Sequence, residues 1–185
     1  MLTKHYGWSM AQQKAFSRDG EVSGQTVRSV VDGVAQFSSA YEDRALNILD
    51  NHGLPEPDED DWYSWGAYID AFEELADTVG PKTVTKIGSE IPGLVDWPPT
   101  VDSVEGGLAA LDEQYQNTHR GDEIGYYDFE KTGDNGGVME CKNPYPAALD
   151  EGLLKATAEK FSDDGAFVRI EQTSDGEVTT FQISW

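Results

Sequence analysis

Near residue 120 the hydrophobic period of this chain changes, and the change decides what it can fold into. Upstream, apolar residues recur at steps of three and four, the spacing that lays a stripe along one face of a helix. Val27, Val30, Val31, Val34, Phe37, Tyr41, Ala45, Ile48 and Leu49 predict one long helix over 25–52, with Ser23 as N-cap and Gly53 as stop. Trp65, Tyr68, Ile69, Phe72, Leu75, Ala76 and Val79 predict a second, from about Asp61 to Val79, ended by Gly80-Pro81. Val84, Ile87 and Ile91 mark a shorter helix over 82–91. Val104, Leu108, Leu111 and Tyr115 mark a fourth, capped at Thr100 or Asp102 and running to Thr118. Its Gly106-Gly107 pair costs about 1 kcal/mol per glycine relative to alanine. It signals a close neighbour, a ligand or a chance weak spot.

Downstream the period falls to two. Segments 124–131 and 138–142 read as strands around a turn rich in Gly, Asn and Asp. Asn143-Pro144-Tyr145-Pro146 interrupts the chain before a helix from Ala147 to Phe161. Segments 166–172 and 178–185 then form a second hairpin, with Phe181, Ile183 and Trp185 alternating onto one face. The expected fold is a single α+β domain over 1–185. Residues 1–99 are mainly helical, and 100–185 form an αββαββ unit whose four-stranded antiparallel sheet packs one face on helices. The other face is left to solvent or a partner.

The chain carries 35 acidic against 13 basic side chains, a net charge of -22. Phosphate recognition needs clustered Lys and Arg, so nucleic acid and anionic membranes are excluded as partners. A folded chain of this size exposes roughly 9,000 Å², about one net negative charge per 400 Å². Treated as a sphere of roughly 20 Å radius, it repels itself by about 15 kcal/mol at about 0.1 M salt and by a few kcal/mol at molar salt. Folding stability is itself only about 5–15 kcal/mol, so salt should favour the folded state. The expectation is a protein of an extremely halophilic cell. Disorder is ruled out by 38% hydrophobic and 11% aromatic residues in periodic stripes. The single cysteine, Cys141, excludes an internal disulfide and a multi-cysteine zinc site. No apolar run reaches the roughly 20 residues of a membrane span. Met1 to Gly20 lack a signal-peptide pattern, so a soluble, cytoplasmic protein is expected.

The order of elements, with Leu108 to Gly121, Gly125 to Phe129 and Cys141-Lys142-Asn143-Pro144-Tyr145-Pro146, resembles the heme-nitric-oxide/oxygen binding (H-NOX) fold. It is similar as well to the related small-molecule-binding domains of the 4-vinyl-reductase type, and to bacterial and archaeal proteins akin to both. The resemblance implies a sensor-like fold. It also implies two heme-holding features that this chain lacks. Heme-binding members carry a proximal histidine inside the helix before the sheet, where Asp102 to Asn117 contain none; His119 falls beyond the expected helix end. They carry a Tyr-x-Ser-x-Arg motif where this chain has Cys141, Asn143 and Tyr145. The fold is therefore expected without the heme, and no cofactor is expected.

No Ser-His-Asp order, phosphate-cradling loop or paired metal ligand is present, and Asp58 to Asp61 lack the ligand pattern of a calcium loop. Candidate ligand-binding residues are His119, Arg120, Tyr126, Cys141, Asn143, Tyr145, Trp65 and Tyr68. His119 and Arg120 offer an anion or acid–base site, or simply cations complementing a helix C-terminus that Gly121 stops. Asn143 and Tyr145 precede free helix-start amides, or merely direct the chain. Cys141 is a reactive thiol or a small buried hydrophobe. Trp62, Tyr63, Trp65 and Tyr68 line a flat-ligand pocket or pack the core. The expected function is a non-catalytic small-molecule-binding, sensor-like module with its pocket between helices and sheet. The alternatives are a module that homodimerises through the sheet, with Trp185 on an edge-like strand, and an enzyme of unrecognised type, which a cleft converging on His119, Arg120 and a carboxylate would favour.

Overall fold

The structure is a computed structural model that describes residues 16–163 and 166–185. Residues 1–15 of the segment expected to lack a signal peptide lie outside the described residues. The α+β class holds, and four of the helices begin on a serine. Ser23 caps α1 (Gly24–Ala35), Ser38 caps α2 (Ser39–Asn51), Ser64 caps α3 (Trp65–Val79) and Ser103 caps α5 (Val104–Ala109). Each hydroxyl accepts an N–H of the first turn that would otherwise be unpaired. Between the last two, α4 (Pro81–Leu94) starts on Pro81, whose missing N–H costs nothing at that position.

These caps correct three expectations. The helix expected over 25–52 is two helices, because Ser38 accepts the Tyr41 N–H at 3.3 Å and restarts the ladder. Phe37 and Tyr41, counted in its apolar stripe, are 43% and 39% exposed. The second expected helix starts later, at Trp65, since Trp62–Ser64 form strand β2. The fourth is capped by Ser103 and breaks at Ala110 into α5 and α6 (Leu111–Thr118). Gly107 owes its place to a neighbour: a Cβ there would lie 2.4 Å from the Phe161 ring.

Strand β1 (Gly20–Ser23) pairs antiparallel with β2 on one side and β3 (His119–Gly121) on the other, a small sheet that the hydrophobic pattern does not announce. The larger antiparallel sheet is the expected one, in order β4 (Tyr126–Gly133), β5 (Gly136–Lys142), β7 (Thr179–Ser184), β6 (Arg169–Ser174). Its inner face buries Tyr127, Met139, Cys141, Phe181 and Ile183. Trp185 follows an inner strand rather than an edge and is half-buried against Phe129, ring centroids 6.5 Å apart. The outer face presents Asp128, Glu130, Glu140 and Glu171, all exposed.

Helix α7 (Ala147–Phe161) spans the residues expected of it and crosses α4 at backbone contact. Gly88 and Gly152 make that approach possible: a Cβ on Gly88 would meet the Leu149 carbonyl oxygen at 2.2 Å, and one on Gly152 the Thr85 carbonyl oxygen at 1.9 Å. The core is continuous from Val27 on α1, through Trp65 and Phe72 on α3, to Leu154 on α7 and Phe181 on β7. Among the described residues no helix is long and apolar enough to cross a membrane.

Candidate functional site

Val22 pairs with His119 in the β1–β3 register, pinning the imidazole where α6 ends and extended backbone begins. The residue is 4% exposed. Tyr115, one turn earlier, stacks on the ring at a centroid distance of 4.1 Å, and Trp65 meets it edge-on at 5.0 Å. Nδ1 lies 2.9 Å from the Tyr115 carbonyl oxygen, which can only accept, so Nδ1 carries the hydrogen. Nε2 then bears the lone pair, and the Tyr145 hydroxyl donates to it at 2.8 Å. The Tyr68 hydroxyl bonds in turn to that of Tyr145. Burial pushes the His119 pKa down to about 4, the bond to the Tyr115 carbonyl opposing it. The ring is therefore neutral at pH 7, and the reading of His119 as a cation at the helix end is corrected.

A cavity of about 270 Å³ opens against this imidazole, between α1, α4, α6 and α7 and over Tyr127 of the sheet. Tyr68, Tyr115, His119, Tyr127 and Tyr145 give it an aromatic floor, and Leu149 and Leu153 of α7 an apolar wall. Its mouth is formed by exposed Gln25, Leu94, Asp96 and Asn117. There the Gln25 amide reaches the Leu94 carbonyl at 3.4 Å, joining α1 to α4. Among the described residues, the lining contains no Lys or Arg.

Behind the floor lies a second polar layer. Asp150, 1% exposed, accepts the Tyr127 hydroxyl at 2.7 Å and the Asn143 amide at 3.2 and 3.3 Å. Burial raises its pKa to about 7, with both donors opposing the rise. Burial likewise pushes the Tyr115, Tyr127 and Tyr145 phenols and the Cys141 thiol upward, so all four are neutral.

Of the candidate residues, Tyr68, His119 and Tyr145 line the cavity. Trp65 backs His119 without lining it, and Asn143 belongs to the layer behind. Cys141 is 1% exposed, as a small buried hydrophobe would be. Arg120 points elsewhere: it pairs with Glu21 at 2.7 Å and lies 3.9 Å above the Trp62 ring. Tyr126 stands half-buried at the start of β4, outside the lining. The site residues that sequence reasoning missed are Tyr115, counted in a helical core stripe, Tyr127, unnamed within the 124–131 strand, and Asp150, whose one signal is a carboxylate between Leu149 and Leu153. Among the described residues no group of three or more His, Cys, Asp or Glu side chains could hold a metal ion.

No family model matches the chain. No curated protein matches it either. Solved structures do match over most of its length. An oxygen-binding H-NOX domain related to soluble guanylate cyclases, in its oxygen complex, has a TM-score of 0.64 at 15% identity, covering 87% of this chain and 93% of that one. An H-NOX protein from S. oneidensis in the Fe(II)NO ligation state has a TM-score of 0.63 at 14% identity, covering 88% and 98%. A structure described as modulating heme redox potential through protein-induced porphyrin distortion has a TM-score of 0.60 at 14% identity, covering 88% and 99%. These neighbours overturn the expectation that no cofactor is bound. The departures within 102–117 and at 141–145 do not exclude heme from a fold whose solved examples are described with iron, oxygen and heme. The chain has the H-NOX fold.

Proposed function

We propose that this chain is a small-molecule-binding domain of the sensor type, that its ligand enters the cavity over His119, and that the ligand is of the heme class. The observation that carries the reading is the state of His119. The ring is neutral, its Nδ1–H is tied to a backbone carbonyl, and its Nε2 lone pair is held, among the described residues, only by the Tyr145 hydroxyl of the cavity floor. That is the arrangement in which an imidazole ligates a metal. His119 would hold the iron, and the Gln25 and Asn117 amides at the mouth would meet the polar substituents. When bound, such a group supplies an iron that takes a diatomic ligand. At about 270 Å³ the cavity falls just below the usual ligand-pocket range of about 300–1,000 Å³. Occupancy by so large a group requires the Gln25–Leu94 contact to part and the Tyr145 hydroxyl to release Nε2.

Hemin titration tests the reading. A Soret band that saturates at one equivalent and is lost in His119→Ala, but kept in His52→Ala, supports it. Absence of the band in the wild type, or its survival in His119→Ala, rejects it. Native mass spectrometry of protein from its own host would show any other molecule retained in the cavity.

The surface supports a further part of the reading, operation at high ionic strength. The accessible surface of 9919 Å² carries a net charge of -22, about one negative charge per 450 Å². Homodimerisation through the sheet finds no such support, because its free face presents four carboxylates that a second copy would oppose with its own.

A further inference from the structure

Asp150 does not line the cavity, yet its hydrogen bonds lead to two residues that do. Its Oδ1 takes the Tyr127 hydroxyl, and both of its oxygens take the Asn143 amide. Asn143 turns its own side-chain oxygen to the Tyr145 backbone N–H, 2.9 Å away. One carboxyl thus fixes Tyr127 directly and, through Asn143, the segment that carries Tyr145. We propose that Asp150 is a positioning residue for the cavity, and that gain or loss of its proton is transmitted to the two phenol side chains that form part of the floor.

The donor inventory gives the mechanism. An ionised carboxylate accepts from Tyr127 and Asn143 together. Once protonated, one of its oxygens becomes a donor: on Oδ2 it displaces the Asn143 amide there, and on Oδ1, which takes both donors, a partner must change role. The Asn143 amide nitrogen cannot accept, whereas the Tyr127 hydroxyl can reverse and do so. Protonation on either oxygen therefore loosens the hold on Asn143 and the Tyr145 backbone, and on Oδ1 it also turns the Tyr127 hydroxyl around. A pKa near 7, set by burial and opposed by the two donors, places the exchange in the neutral range.

The titratable neighbours are Tyr115 from α6, Tyr127 from β4, Cys141 from β5 and Tyr145 beyond it, all kept neutral by burial. Helix α4 presents backbone around Gly88 to α7, and α5 presents Gly107. Arg169 and Glu171 of β6 are exposed and paired with each other. Asp150 is thus the group in this layer that changes charge near neutrality.

The inference draws its functional meaning from the cavity reading above, but its test needs no ligand. Protein labelled in its tyrosine rings is followed by NMR from about pH 5.5 to 8.5, a window centred on the Asp150 pKa of about 7. The Tyr127 and Tyr145 ring signals should shift with one shared midpoint. Asp150→Asn should abolish that midpoint at both. Tyr127→Phe should raise the midpoint read at Tyr145, since it removes a donor that favours the carboxylate. Rings that do not titrate in the wild type, a midpoint that survives Asp150→Asn, or a Tyr145 midpoint unmoved by Tyr127→Phe would each overturn the proposal. Near-UV circular dichroism checks the fold of each variant, and Tyr127→Phe decides alone if Asp150→Asn fails to fold. A wild type that titrates as described but takes no hemin removes the heme reading and leaves this one standing.

Discussion

The Tyr145 hydroxyl lies 2.8 Å from Nε2 of His119 and occupies the lone pair of the imidazole that lines the cavity. The pair holds the buried ring in one tautomer and, on the reading proposed here, competes with a ligand for the same nitrogen. Tyr145→Phe therefore has two consequences of opposite sign. It leaves Nε2 buried without a donor, which costs about 1–3 kcal/mol of stability and is read as a lower urea midpoint. It also removes the competitor, so hemin affinity should rise about five-fold for a hydrogen bond worth roughly 1 kcal/mol. A variant that loses stability and hemin affinity together would contradict the competition.

What could be read from the chain follows from the length of each pattern. Helix α7 was legible to the residue, because a proline turn precedes it and its apolar spacing runs for fifteen residues. Strands β1, β2 and β3 are four, three and three residues long, too short to show a period of two. The break before α2 was missed because Phe37 and Tyr41 keep the helical spacing while facing solvent; Ser38 was its only signal. In the site, Tyr68 and Tyr145 were legible as aromatics, and His119 as an imidazole just beyond a helix. Tyr115 and Tyr127 were not, since a phenol that lines a cavity has the same spacing as one that fills a core. The convergence of Tyr127 and Asn143 on Asp150 joins a strand, a turn and a helix, and only folding shows it.

His119 and Asp150 make opposite contributions to stability as pH changes. Between pH 4 and 6.5 an unfolded chain protonates its imidazole while folded His119, with a pKa of about 4, does not. The unfolded state then binds the extra proton, so this group makes stability rise with pH by about 1.4 kcal/mol per unit. Asp150 works the other way. From pH 3.8 to about 7 the folded carboxyl keeps a proton that the unfolded chain has lost, and stability falls as pH rises. Over their shared range the two slopes nearly cancel. His119→Gln should therefore lose about 3 kcal/mol between pH 4.5 and 6.5 relative to wild type, and Asp150→Asn should gain a similar amount. Urea midpoints at the two pH values and constant KCl measure both. Parallel profiles for the two variants would refute the assignment.

The α4–α7 crossing decides the sign of two glycine substitutions. In an open helix Gly→Ala stabilises by up to about 1 kcal/mol. At Gly88 and Gly152 the added methyl would meet backbone carbonyls of the facing helix at 2.2 and 1.9 Å, and neither backbone can yield without separating the helices. Gly88→Ala and Gly152→Ala should each cost about 2–4 kcal/mol. Gly93, in the same helix α4 with nothing within 4 Å of a Cβ, is the control and should gain stability or stay level. A thermal melt of the three variants is sufficient, and equal melting temperatures would show that the crossing is looser than drawn.

Salt is the last term, and the sheet shows where it acts. Asp128 and Glu140 stand directly opposite each other on β4 and β5, both exposed, and like charges so placed are destabilising by up to about 1 kcal/mol. The ion pairs that oppose such repulsion are surface pairs such as Lys155–Glu159 and Arg169–Glu171, each worth about 0–1 kcal/mol. They cannot offset a net charge of -22. Screening can, because the Debye length falls from about 10 Å at 0.1 M to below about 3 Å above 1 M. The melting temperature should therefore rise by on the order of 10 °C between about 0.1 M and 2 M KCl. Glu140→Gln should stabilise by up to about 1 kcal/mol at 0.1 M and by nothing measurable at 2 M. That difference separates charge screening from a general salting-out of apolar surface, which would raise the wild type and the variant equally. If the Glu140→Gln advantage persists at 2 M KCl, repulsion across the sheet is not what the salt relieves.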